Sequence, residues 1–598
     1  MKEILYIQAG NVSNHIGTHF WNTQESYFTY GDDQDDFVTE SLVNHDVSFR
    51  EGLSTQNEAT FCPRAIVIDY KSSYGSMSRY NDLYSDDPGE REEDLWNGGV
   101  SEYRQEVIPK STYQQRLESG EDSTTELDDG DINDTDSRFW SDYNRVYYHP
   151  RSLQQVPDLP DWESNKVDWN HRKSSFKQFD TNISLTDDSV RRFVEECDNF
   201  QGLQASFDNT TFGGFTVAFL EALKNEYAKT PILTIPILSG LNPQSIGIED
   251  VMHRNLVLQD IACVCALNEL GTQNILLQSP ESWELGTWAN SLDFNKNSHY
   301  HTSAILSAHL ESATLPLRLR NRRVDLSDFC THLNWSQNTR FSHLSGALPF
   351  PTLSPLELSS SSSLSSSQEV RGPGTNGLLN QGQNQYEVFR DCIYDFSNLS
   401  GYGSKVQGSR PRNRNRYFVQ RNVTRGLGLD EARRLEMYFA SGTGLESPVL
   451  QSTHTEPYPL PSSFPRIFKH NSGSIPVPVP VPASTSAPAP APSSTPPQTT
   501  TPPPTSITLL STLSTSTQPS ALFACYTAFA RSCLSRRYNG DEVAGLEGDE
   551  DEDGDGDGDE GGYGGEGEDE SVGGDSDVDV DVEGNEGGDE VVGEKELE

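Results

Sequence analysis

A chain of 598 residues has room for two or three domains, yet only 33% of it is hydrophobic, and 34 prolines with 47 glycines point to a good fraction without a packed core. The formal net charge of −46 is lopsided: residues 541–598 hold 27 acidic side chains and one lysine, a balance that excludes direct nucleic-acid binding. Eight scattered cysteines form no CxxC pair, so neither a zinc site nor a disulfide framework is expected.

Ile4-Leu5-Tyr6-Ile7 is too short and too rich in β-formers for a helix and reads as a buried strand. Gly10 ends it, and Asn11 and Ser13 can cap a helix whose Val12, Ile16 and Phe20 share one face. Strand, glycine turn and helix N-terminus make an anion site, because unpaired N–H groups and the positive end of the dipole converge there. The start of the chain has neither the pattern of a signal peptide nor that of an Arg-rich presequence, and no apolar run approaches the ~20 residues of a membrane span, so any organelle association is expected to be peripheral. Residues 31–60 read as an acidic, polar surface loop and a disordered insertion. Residues 64–69 form a second buried strand, and 72–138 a long, charged, disordered insertion.

Asp187-Asp188 precede a helix with Val190, Phe193, Val194 and Cys197 on one face. A strand at 203–207 leads through Asp208-Asn209-Thr210-Thr211-Phe212-Gly213-Gly214 into a helix carrying Phe219, Leu220, Leu223 and Tyr227. A strand at 231–238, a helix from Asp250 through Leu267 and a strand at 274–278 continue the alternation. Residues 301–317 read as a helix running into a strand. His299 and His301 form an HxH pair without a third ligand, so no metal site is expected. Arg318, Arg320, Arg322 and Arg323 form the strongest basic cluster, read as solvated loop charge. Asp325 reads as the N-terminal residue of a capped helix. A strand at 344–350 opens a second, smaller α+β domain over 346–470, with a Ser-rich insertion at 356–368 and a helix at 429–440. Residues 471–507 are a Pro/Thr/Ser-rich linker, 508–540 a short C-terminal segment with a last helix, and 541–598 an acidic tail whose like charges oppose folding.

The order of side chains is more specific than the elements. Gln8-Ala9-Gly10-Asn11, Asn14, Ile16-Gly17 and Phe20-Trp21 closely resemble the opening of tubulins, where this turn cradles a nucleotide's phosphates. Pro63-Arg64-Ala65 with Asp69 resembles their second nucleotide-contacting loop, and residues 197–204 and 324–329 are tubulin-like as well. Trp140-Ser141-Asp142-Tyr143, residues 147–152 and residues 463–468 look like signatures of the Misato family, divergent tubulin relatives linked to mitochondrial distribution and inheritance. The resemblance covers residues 1–345 well and 380–470 weakly. It implies an α/β fold, with a tubulin-like, Rossmann-type nucleotide-binding-like domain over 1–345 followed by the smaller second domain. It also implies a vestigial nucleotide pocket at Gly10, Asn11, Asn14, Asp69, Gly213, Gly214 and Asn255.

Departures from the tubulin pattern shape the expected mechanism. Where tubulins place an acidic residue that assists magnesium, this chain has Lys71. The Gly-Gly-Gly-Thr-Gly-Ser-Gly loop of tubulins is reduced to Gly213-Gly214, Phe212 and Phe215 add bulk, and Asp208 brings negative charge where phosphate would sit. No resident cofactor or GTPase activity is therefore expected. Asp325 and Asp328, at the place of the family's catalytic carboxylates, are the remaining catalytic candidates. The resemblance implies a non-catalytic protein that distributes mitochondria and secures inheritance of mitochondrial DNA, in the cytoplasm and at the mitochondrial surface, through cytoskeletal or chaperonin partners. The alternatives are a GTP-binding, self-assembling cytoskeletal GTPase and a chaperonin or tubulin assembly cofactor.

Overall fold

The structure, a computed structural model, describes residues 2–28, 41–53, 59–79, 108–119, 137–158, 168–247, 249–321, 323–350, 392–399, 416–442, 448–469 and 505–546. The chain forms two compact units, Met1–Arg537 and Tyr538–Glu598; of the second, only the end of the last helix is described. The Ser-rich insertion, linker residues 471–504 and tail residues 547–598 lie outside the described residues.

One large sheet organises the first unit. Across it run β5 (Leu153–Val156), β4 (Ala65–Tyr70), β1 (Glu3–Ala9), β6 (Phe200–Asp208), β7 (Ile232–Leu238), β8 (Gln273–Gln278) and β9 (Phe341–Ala347), all parallel. β15 (Leu509–Ser516) pairs antiparallel with β9, β11 (Tyr417–Arg425) antiparallel with β15, and β12 (Val449–His454) parallel with β11. The short β10 (Tyr394–Asp395) also pairs with β9. Two small hairpin-like pairs stand apart: β2 (Phe49–Leu53) with β3 (Ala59–Pro63), and β13 (Tyr458–Pro459) with β14 (Ser506–Ile507).

The α-helices among the described residues are α1 (Asn11–Glu25), α2 (Thr112–Ser119), α3 (Trp169–Ile183), α4 (Arg191–Glu195), α5 (Asn209–Glu226), α6 (Val251–Leu270), α7 (His299–Thr314), α8 (Leu326–Leu333), α9 (Leu429–Gly442) and α10 (Pro519–Leu546). Parallel strands covered on both faces must be apolar on both, and β1 shows why its sequence is a continuous apolar run. Ile4 and Tyr6 enter one core with Phe20, Trp21 and Leu306, while Leu5, Ile7 and Ala9 enter the other with Phe176, Phe215 and Phe219.

Several expectations change. Part of the 31–60 stretch is ordered: β2 and β3 bury Phe49 and Cys62, but their exposed alternate residues make the segment look polar on average. Within 72–138, Tyr74 is buried in a 3₁₀ turn and α2 forms over Thr112–Ser119. Residues 301–317 contain no strand; α7 gives way to a 3₁₀ turn, Leu315–Leu317, around Pro316. Residues 509–516 are not helical but form β15, whose Ser and Thr residues are all buried in the sheet. Arg318 is not solvated charge at all: it is fully buried.

Its partner is Glu311 on α7. Arg318 Nη2 lies 3.3 Å from Oε1 and Arg425 Nη1 3.1 Å from Oε2, with no exposure of any of the three. Gln24 Nε2 (2.9 Å) and the Tyr27 hydroxyl (3.2 Å) donate to the same carboxylate, tying the end of α1 to α7 and β11. Removing one member of a buried ionic cluster strands the others. Urea unfolding of Glu311→Ala should therefore show a loss of about 3–5 kcal/mol. Arg191→Ala, which breaks an exposed pair with Glu195, should leave the unfolding midpoint unchanged.

Candidate functional site

In an open parallel sheet, ligands bind beyond the carboxyl ends of strands where the chain order reverses. Here that point lies between β1 and β6, since β4 and β5 follow on one side of β1 and β6 to β9 on the other. The β1–β6 register sets Ala9 opposite Phe207, and so brings Gly10 beside Asp208. Gly10 has φ 96°, and a Cβ there would fall within 2.8 Å of the Asp208 side chain. The N-terminus of α1 has no capping side chain of its own. Instead, Val12 N–H donates to Asp208 Oδ2 and Ser13 N–H to Oδ1, each at 2.8 Å. The seat that a helix N-terminus offers to an anion is thus filled by the chain's own carboxylate, from some 196 residues away. Burial pushes the Asp208 carboxyl up to about 7, outweighing the two N–H donors that favour its charge, while Asp69 pushes it further up.

Two more carboxylates are enclosed at this end of the sheet. Asp69 Oδ2 accepts from Asn14 Nδ2 at 2.9 Å and Trp140 Nε1 at 3.2 Å, and Asp69 Oδ1 accepts from Tyr70 N–H at 2.9 Å. Asp260 accepts from Asn209 Nδ2 at 2.7 Å and from the Ser239 hydroxyl at 2.6 Å. Burial lifts both to about 6.

The residues expected in the pocket separate into two groups. Gly10, Asn14 and Asp69 meet Asp208 and one another as described, with Asn11 half-buried at the start of α1. Gly213 and Gly214 do not form a loop, because β6 ends at Asp208 and α5 begins at Asn209. They sit inside α5 against α3: a Cβ on Gly214 would lie 2.6 Å from the Trp169 carbonyl oxygen, and one on Gly213 3.0 Å from the Trp169 ring. Their smallness serves helix packing. Phe212 packs against Tyr70 with the rings tilted and centroids 4.9 Å apart, and Phe215 meets Phe176 edge to face at 5.3 Å. Asn255 is exposed on α6.

Asp325 and Asp328 lie elsewhere. Asp325 precedes α8 and pairs with Lys2, while Leu326 N–H donates to Gln201 Oε1 at 2.9 Å. Lys2 and Gln201 mark the starts of β1 and β6, so these acids are roughly 20 Å from Asp208 along the strands. Asp328 is exposed. His299 and His301 sit in the first turn of α7 and not on a strand; the His299 ring lies 5.7 Å from that of His15, whose Nδ1 is 2.6 Å from the Tyr143 hydroxyl. Burial holds His15 well below its ordinary range, and His19 at about 3. Among the described residues, no group of three or more His, Cys, Asp or Glu is placed to hold a metal ion.

Residues 2–119 match the Misato Segment II tubulin-like domain and residues 130–319 the Tubulin domain. The protein dml-1 of Neurospora crassa is 30% identical over 508 residues, 79% of this chain and 87% of that protein. The chain belongs to the Misato/DML1 family. Another relative, DML1 of Phaeosphaeria nodorum, is 33% identical over 499 residues, 79% of this chain and 88% of its own. The protein misato of Drosophila melanogaster is 28% identical over 364 residues, 55% of this chain and 62% of its own. The fold of this Misato/DML1 chain is tubulin-like, mixed α/β around a large parallel sheet.

Asp208 holds its proton more tightly folded than unfolded, with a pKa of about 7 against 3.8. Between those values the folded state carries the extra proton, so this group's contribution to stability falls as pH rises through the window. Asp208→Asn removes that contribution. The stability of the native chain minus that of the variant, followed by urea unfolding, should decline between about pH 4 and 7 and level off above. A difference independent of pH would mean the carboxylate is not held in a dry site.

Proposed function

We propose that this chain is a non-catalytic tubulin-like protein that acts in the distribution of mitochondria and the inheritance of mitochondrial DNA, through protein partners in the cytoplasm and at the mitochondrial outer surface. The observation that carries the non-catalytic part is the Asp208 carboxylate bonded to the Val12 and Ser13 N–H groups. The donors that a phosphate would use at this helix N-terminus are already engaged by that side chain. A phosphate entering there has to displace Asp208 from a buried seat before making contacts of its own, and wherever Asp208 is ionised the two anions repel.

Two further features support this reading. The helical start at Asn209 leaves no glycine loop to close on phosphates, and Lys71 stands where an acidic residue would assist magnesium. The mitochondrial role rests on membership of the Misato/DML1 family, whose tubulin-like fold has its crevice occupied here from within.

Purified full-length chain, denatured and assayed for released nucleotide, should yield far less than one guanine nucleotide per chain and no magnesium-dependent GTP turnover. Stoichiometric GTP with turnover would favour the self-assembling GTPase. A tagged copy imaged beside mitochondria should follow their surface, and depletion should leave daughter cells with uneven mitochondria and lost mitochondrial DNA. Normal partitioning after depletion would overturn the mitochondrial role.

A further inference from the structure

At one end of the sheet, β12 has a single neighbour among the described strands, β11, in register from Gln420 opposite Val449 to Arg425 opposite His454. Half the N–H and C=O groups of such a strand face outward. Native edges are normally guarded by Lys, Pro, a bulge or very short length. β12, Val-Leu-Gln-Ser-Thr-His, has none of these over its six residues, about 20 Å.

A cavity of about 490 Å³ lies against this strand. Gln451, Ser452, Thr453 and His454 line one side, and Leu319 and Arg320 the other. The far wall is already paired with itself: Asn44 N–H donates to the Arg318 carbonyl at 2.8 Å and Arg320 N–H to the Leu42 carbonyl at 3.0 Å. Gln451 belongs to the β12 wall, with both amide atoms buried beneath its surface and without a partner among the described residues.

Charge narrows the choice. Behind the cavity, two buried guanidiniums, Arg318 and Arg425, face one carboxylate, Glu311, leaving one positive charge in excess. Both Arg425 and Glu311 act on His454, whose imidazole burial and Arg425 hold at about 4, so it is neutral at pH 7 and adds no charge. At the exposed rim Arg320 and Glu456 offset each other. Among the described residues named here the sum is positive, and it favours an anionic guest.

We propose that the β12 edge docks an extended, acidic peptide segment of a partner protein, which adds a strand to the sheet, bonds its backbone to β12, and sets its carboxylates against Arg320. Backbone pairing gives the affinity and the charges the selectivity. The site stands apart from the crevice at Asp208 and does not depend on whether nucleotide binds there.

The test is fluorescence anisotropy of the full-length chain with a labelled peptide of alternating aspartate and valine. Binding should be saturable and weaken with salt. It should fall about tenfold or more when alternate amides are N-methylated, when lysine replaces aspartate, and in Arg320→Glu, whose side chain is exposed. Equal affinity for the methylated peptide, unchanged binding by Arg320→Glu, or no saturable binding overturns the proposal. So does sedimentation of the chain alone as a dimer that Arg320→Glu splits, because the occupant of the edge would then be a second copy.

Discussion

The carboxylate of Asp208 at the N-terminus of α1 is the contact on which the rest of the crevice depends. A helix that begins where parallel strands end leaves N–H groups without partners inside a buried region. They must be met by a ligand, by water or by a side chain, and a side chain of the same chain is always present at saturating concentration. Once Asp208 takes that place, its neighbours are constrained. Residue 10 can carry no Cβ, because the carboxylate occupies the space. β6 must pass into α5 without a loop, so that Asp208 ends the strand at the height of Val12 and Ser13. Phe212 then falls against Tyr70 and closes the side that a glycine loop would leave open.

The same dryness sets the electrostatics. Desolvation is the largest cause of the upward shifts at Asp69, Asp208 and Asp260 and of the downward shifts at His15, His19 and His309. The two sets act in opposite directions on stability. The carboxylates weaken the fold as pH rises from about 4 toward 7, and the histidines strengthen it as pH rises from about 3 toward 6.5. Neutral imidazoles and partly protonated carboxylates together leave the fold with less pH dependence than either set alone imposes.

Much of this was legible in the sequence because it is local. The apolar run of β1, the break at Gly10 and the periodicity of α1 are set by neighbours within a few residues, and Asp208, Phe212 and Lys71 stood out as misfits to a phosphate site. What was not legible is who meets whom across long separations. Nothing near Asp208 announces that it caps a helix nearly 200 residues earlier. The Gly213-Gly214 pair has two uses, a phosphate loop or a close helix crossing, and only the position of Trp169 decides between them. Arg318 looked like surface charge because one of its partners, Arg425's companion Glu311, sits on a helix that reads as apolar and small. The serines and threonines of β15 hid a central strand, since buried polar residues, such as Ser511 beside His309 and Thr515 bonded to the Leu333 carbonyl, cannot be told from a loop by composition.

α1 is held at both ends by carboxylates that belong to other elements: Asp208 at its first turn and Glu311 through Gln24 near its last. At 15 residues it is about 22 Å long, so it ties the crevice to the cluster behind β12 as one strut. A ligand that entered the crevice would have to displace Asp208, free two N–H groups and leave a carboxylate without partners in a dry pocket, all before making its own contacts. The sheet edge asks for none of this. Gln451 to His454 of β12 line a cavity, and the strand proposed to dock there would have no such internal contact to displace among the described residues. By this comparison, the proposed edge site asks less of a new partner than the crevice asks of a nucleotide, because β12 has a single neighbour among the described strands.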